Sequence, residues 1–165
     1  MLFGIAANGL SCHPPCPLPG IFSPIERIRE SKKEIMKPFE NLPHRQPFVM
    51  LDTAEVIEKN RRAKGTRRVT MNDPIVQPDG TMPQAYIIEA MAQISGIASG
   101  RQGGSLFAAI NGLIFNGTAR AGDTLEVEST VERNIGGLYS FAARAVVAGN
   151  IIAQGGILLH FDESA

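Results

Sequence analysis

One carboxylate of this sequence stands inside an apolar run. The segment PQAYIIEAMAQISGIAS, Pro83 to Ser99, sets Glu89 between Ile88 and Ala90, with Gln93 four residues on and Gly96 three beyond that. On a helix these three residues share one stripe. A carboxyl group held among apolar neighbours is suited to general acid work, an amide one turn away can orient it, and a glycine leaves room for a ligand. The equally weighted alternative is a structural Glu tied to a backbone amide or an Arg, because a buried carboxylate must be paired or protonated. His44 is the second candidate. It stands in NLPHRQPF between Pro43 and Pro47, which hold the backbone extended around His44, Arg45 and Gln46. A His on a rigid loop is a candidate base. His160 near the C-terminus carries no such signal, and Asp79 is a poor base for a carbon acid. Cys12, His13 and Cys16 are three metal-ligand types without a nearby fourth, so no metal is expected there.

Basic residues gather in KNRRAKGTRR, which holds six of the sixteen between positions 59 and 68. On a strand, Arg62, Lys64 and Arg68 share one face. They form either a solvated face that discourages edge aggregation or a docking patch for an acidic partner. No aromatic residues are interleaved for base stacking, and the net charge is zero, so nucleic acid is not an expected partner. With 44% apolar residues the chain is not of disordered type, and no run of about 18 apolar residues exists to cross a membrane. GxGxxG, GxxxxGK[ST], GxSxG and HExxH are all absent, so neither a nucleotide cofactor nor a serine-hydrolase elbow is supported.

The elements that must position these groups follow from periodicity. Residues 1–22 read as a Pro-rich flexible lead-in, and a leader ending at Cys12 lacks the basic start it needs. The expected location is cytoplasmic. Residues 23–165 read as one domain. Ser23-Pro24-Ile25-Glu26 opens a short helix that runs through Ile35 and Met36 and stops before Pro38. Strands are expected over Phe48–Glu58 and Arg61–Met71. A helix over Pro83–Ser99, apolar on every side, is expected to be buried, with Gly100 past its end. Four strands follow, at about Leu106–Thr118, Thr124–Arg133, Leu138–Ala148 and Ile151–Phe161. Leu125, Val127 and Val131 alternate with Glu126, Glu128, Thr130 and Glu132, one buried face and one wet. The sum is an α+β fold: a curved antiparallel sheet wrapped around one long central helix, closing in a meander.

LPHRQPFVMLD (Leu42–Asp52), VTMNDP (Val69–Pro74) and MPQAYIIEAMAQISG (Met82–Gly96), with a weaker match over Leu106–Glu128, resemble the hotdog-fold 3-hydroxyacyl-[acyl carrier protein] dehydratases of fatty-acid and polyketide synthesis. The resemblance implies a hotdog fold and a homodimer with sheets paired edge to edge; a heterodimer with another hotdog subunit is the variant. It implies acyl carrier protein as partner, an acyl thioester as substrate, and no cofactor beyond the phosphopantetheine arm the substrate brings. It makes Glu89 the acid that protonates the departing hydroxyl. It also places the thioester at the helix start, at Pro83, Gln84 and Ala85, and along Gln93 and Gly96. The family's catalytic His stands in a Gly-His-Phe-Pro-Gly loop before the helix, where this chain reads IVQPDGTMPQ without His. A divergent branch keeps LPHR and the helix Glu, which leaves His44 as the base. The rival expectations are a hotdog thioesterase, working with water and the helix acid, and a non-catalytic carrier-binding subunit.

Overall fold

The computed structural model describes residues 42–162 and the backbone of 35–36. All of these belong to one unit, Ser31–Ala165. The lead-in, the Cys12–Cys16 cluster, the leader reading and the helix start at Ser23 lie outside the described residues. The helix expected to run through Ile35 and Met36 does not reach them: they form strand β1 (Ile35–Met36), paired antiparallel with Glu55 and Ala54.

Six further strands and one helix follow: β2 (Thr53–Glu58), β3 (Arg62–Arg68), α1 (Gln84–Ser99), β4 (Ser105–Phe115), β5 (Thr124–Ile135), β6 (Leu138–Val147) and β7 (Asn150–Phe161). They make one antiparallel sheet in the order β1-β2-β3-β5-β6-β7-β4. The expected meander is therefore β5-β6-β7 alone. β4, which precedes it in sequence, pairs with β7 and leaves its other side as the sheet edge.

α1 is buried on the side of Ile87, Ala90, Met91, Ile94, Ile97 and Ala98, which meet Leu125, Val127, Phe141 and Ile157 from the sheet. Each such aliphatic or aromatic side chain contributes about 1.5–3 kcal/mol on burial. The helix ends where the sequence asks, at Gly100 in the left-handed region, whose N–H reaches the Ile97 carbonyl. It is not buried all round. Gln84 and Ala85 are exposed, while Tyr86, Ile88, Glu89 and Gly96 are half-buried. A single sheet covers one side of a helix, and the remaining stripe faces the 42–50 segment and the α1–β4 loop.

Two strands are shorter than their apolar patterns suggest. β2 begins at Thr53 because the backbone before it is engaged elsewhere: Gln93 takes the Phe48 carbonyl and the Met50 N–H, and Arg67 takes the Val49 carbonyl. β3 stops at Arg68 because Val69 turns to Asp123 and Gly122 through backbone hydrogen bonds.

Candidate active site

His44 and Glu89 come together. His44 Nε2 lies 3.3 Å from Glu89 Oε1, with the side chains about a third exposed, 38% and 33%. The loop that presents His44 is held from within. Arg45 Nη1 donates to the Leu42 carbonyl at 3.0 Å and the His44 carbonyl at 2.9 Å, and Phe48 N–H donates to the Arg45 carbonyl at 2.8 Å. That last bond closes a turn over residues 45–48, so the segment is extended only up to Arg45, not through Gln46. Leu42, buried, anchors its start.

Gln93 positions the acid. Its side chain is 2% exposed. Nε2 donates to Glu89 Oε1 at 2.9 Å and to the Phe48 carbonyl at 2.6 Å, and Oε1 accepts the Met50 N–H at 2.9 Å. One amide thus ties the helix acid to the strand-like segment that follows the His44 loop. Glu89 Oε1 faces both Gln93 and His44, while Oε2 has no hydrogen-bond partner among the described residues. His44 Nδ1 is buried and has no partner there either.

The pair opens on a small pocket of about 80 Å³. Along α1 it follows Glu89, Ala92, Gln93 and Gly96, as the stripe in the sequence suggests. Its other walls were not legible from single motifs: Ser105 and Phe107 of β4, Leu159 and Phe161 of β7, and Arg101 of the loop after α1. Continuing the Glu89–Gln93–Gly96 stripe past the helix end is the one signal that leads to Arg101.

Other expected site residues stand elsewhere. Pro83, Gln84 and Ala85 do not line this pocket. The helix N-terminus lies two turns ahead of Gln93, and Gln84 and Ala85 point to solvent. Asp79 is exposed and accepts hydrogen bonds from the Thr81 hydroxyl and N–H, which hold its carboxyl below the usual value and make it a loop tie rather than a base. Arg62 and Lys64 do share a face, but that face is neutralised. Glu55 pairs with Lys64 at 3.3 Å, and Glu128 pairs with both Arg62 and Arg144. Arg68 alone of the three makes no ion pair among the described residues. Partial burial raises the Glu128 carboxyl, but the hydrogen bonds from Arg144 and Arg62 outweigh it and hold it below its ordinary value.

The sequence reading missed a buried ion pair between Arg67 and Asp73. Arg67 Nη1 also holds the Val49 carbonyl at 2.9 Å. The alternation that puts Arg62, Lys64 and Arg68 outward puts Arg67 inward, and an inward cation requires a partner.

Comparison with known proteins identifies the family and the fold. A family model described as ApeP-like, ApeP dehydratase, matches residues 36–111, the span that carries His44, Glu89 and Gln93. The 3-hydroxyacyl-[acyl-carrier-protein] dehydratase FabZ of Syntrophotalea carbinolica is 34% identical over 131 residues, 73% of this chain and 89% of that protein. The FabZ of Thermomicrobium roseum is 38% identical over 131 residues, 72% of this chain and 86% of that one. Among solved structures, the dehydratase heterocomplex ApeI:P from Xenorhabdus doucetiae superposes with a TM-score of 0.68 at 19% identity, covering 78% of this chain and 93% of that one, which supports the hotdog fold. On these identities the chain belongs to the FabZ family of 3-hydroxyacyl-[acyl-carrier-protein] dehydratases.

Proposed function

We propose that the protein is a hydro-lyase that removes water from 3-hydroxyacyl thioesters carried on acyl carrier protein, in fatty-acid or polyketide-type synthesis, with His44 as base and Glu89 as acid. The observation that carries the assignment of residues is the 3.3 Å approach of His44 Nε2 to Glu89 Oε1 beside a pocket that Phe107, Leu159 and Phe161 also line. The reaction starts from the form with a neutral imidazole and one proton on the Glu89 carboxyl. His44 Nε2 takes the α-proton of the thioester, the electron pair forms the Cα–Cβ double bond, and the Cβ–O bond breaks. Glu89 Oε2 delivers its proton to the departing oxygen, and water leaves. The site then holds an imidazolium beside a carboxylate, and one proton passing from Nε2 to Glu89 restores the starting state. The two roles need groups poised near neutral pH and within hydrogen-bond reach of one substrate. Gln93 keeps Glu89 turned toward His44 and leaves Oε2 for the substrate.

No metal or nucleotide enters this scheme, and the phosphopantetheine arm arrives with the substrate. The reading carries a cytoplasmic location. It also carries assembly with a second hotdog subunit along β4, the edge strand among the described residues, which bears exposed Leu106, Phe107, Ile110 and Ile114. A second copy of this chain is the favoured partner, and a different hotdog subunit is the variant.

The test is product identity. Incubation with a short 3-hydroxyacyl-carrier substrate is expected to yield the enoyl thioester by mass spectrometry, and the enoyl thioester to be rehydrated. Release of free thiol from saturated acyl thioesters without any enoyl product assigns the site to hydrolysis instead. Carrier binding without turnover by this chain alone assigns it to a non-catalytic subunit.

A further inference from the structure

The pocket beside the reacting pair also reaches residues toward and beyond the C-terminal end of α1. Ala92 and Gly96 line it along α1, and Arg101, Gly103 and Ser105 line it beyond the helix. Gly96 is what keeps that path clear: a Cβ built on it meets nothing within 4 Å. Arg101, just past the end of α1, lines the same pocket as His44 and Glu89. Its backbone is pinned, with its N–H donating to Ser99 Oγ at 3.1 Å, while its guanidinium is exposed. The only hydrogen bond of that side chain among the described residues is a long one, 3.5 Å, to the Asp162 carbonyl, and it has no ion pair there.

Resting on the dehydratase reading above, we propose that Arg101 binds the phosphate of the phosphopantetheine arm, with the arm laid over Gly96 and its thioester delivered to His44 and Glu89. A guanidinium fork matches the oxygens of a phosphate and forms short charge-assisted hydrogen bonds with them. Phe107, Leu159 and Phe161 give the arm's gem-dimethyl and methylene groups a wall to lie on. The reverse placement, with the acyl tail running toward Arg101, sets hydrocarbon against a cation and desolvates it without a partner. The arm is the same whether a carrier protein or coenzyme A bears it, so the phosphate is the shared feature recognised.

The test titrates the full chain with 4′-phosphopantetheine and with pantetheine, which lacks the phosphate. Wild type is expected to bind the phosphorylated form about tenfold more tightly, the effect of one good charge-assisted contact. Arg101→Gln is expected to abolish that preference, Arg101→Lys to keep part of it, and Gly96→Leu to weaken both ligands. Equal binding of the two ligands by wild type, or an unchanged preference in Arg101→Gln, overturns the proposal. Binding of both ligands left intact by Gly96→Leu, with only long acyl chains refused, overturns it in favour of an acyl tail in this groove. Because the readout is binding, a chain that shows the preference but forms no enoyl product keeps this assignment and loses the dehydratase reading.

Discussion

At the scale of residues, Gln93 does the most with one side chain. Its amide serves the Phe48 carbonyl, the Met50 N–H and Glu89 at once, and it is buried. Gln93→Leu leaves a buried donor and acceptor without partners, which costs about 1–3 kcal/mol. It is expected to lower the thermal midpoint and to cut turnover more than substrate binding, as measured by calorimetry and by kcat and KM separately. The stripe of Glu89, Gln93 and Gly96 was legible because helical spacing alone puts them together. The approach of His44 to Glu89 was not, since 45 residues of irregular chain and strand separate them and only the fold closes that gap. The expectation of a buried acid needed correction for a simple reason: an apolar sequence on every side of a helix does not produce cover on every side.

At the scale of elements, the segment from Phe48 to Met50 is fixed by α1 through Gln93 and by β3 through Arg67, and this is what makes the His44 loop a part of the framework. Arg67 and Asp73 form their pair in the interior. Arg67→Met leaves Asp73 buried and unpaired, and removal of one partner of such a pair costs about 3–5 kcal/mol. Equilibrium unfolding is expected to show that loss, and Arg67→Met combined with Asp73→Asn to recover part of it. β4 depends on a different detail. A Cβ on Gly155 would sit 2.6 Å from Leu113 Cα, inside the bulge where the β4–β7 register shifts. Gly155→Val is expected to cost about 1–3 kcal/mol through forced backbone shifts, and to loosen β4 first, as amide hydrogen exchange reads. The alternation of β5 was readable from its period of two. The placement of β4 beside β7 was not, because nothing in a strand's own sequence names a partner two strands away.

At the scale of the whole molecule, the zero net charge hides organised ion pairs. The row Glu55, Lys64, Glu128, Arg144 runs across neighbouring strands in register, which is why the basic run offers so little free charge for docking. Glu128 has a folded value below its unfolded one, so its contribution to stability is complete above the ordinary Glu range near pH 4.3 and is lost as pH falls toward the lower folded value. Thermal melts between pH 7 and pH 3 are expected to show Glu128→Gln with a smaller acid-side loss than wild type. The free edge of β4 carries the other large-scale feature. Leu106 is 68% and Ile114 55% exposed on a strand whose outer side has no partner strand among the described residues, a surface that folded proteins cover. Ile110→Asp is expected to shift the assembled form toward monomer in light scattering, with its secondary structure intact. The central claim is that His44 and Glu89 are one catalytic pair, and the most direct measurement is turnover of a short 3-hydroxyacyl-carrier substrate by wild type, His44→Ala and Glu89→Gln, each checked for thermal midpoint and assembly. The account predicts that both variants fold and assemble as wild type does yet lose about 10²–10⁴-fold in kcat, the usual worth of a general acid or base. Wild-type turnover by a folded His44→Ala variant would contradict it.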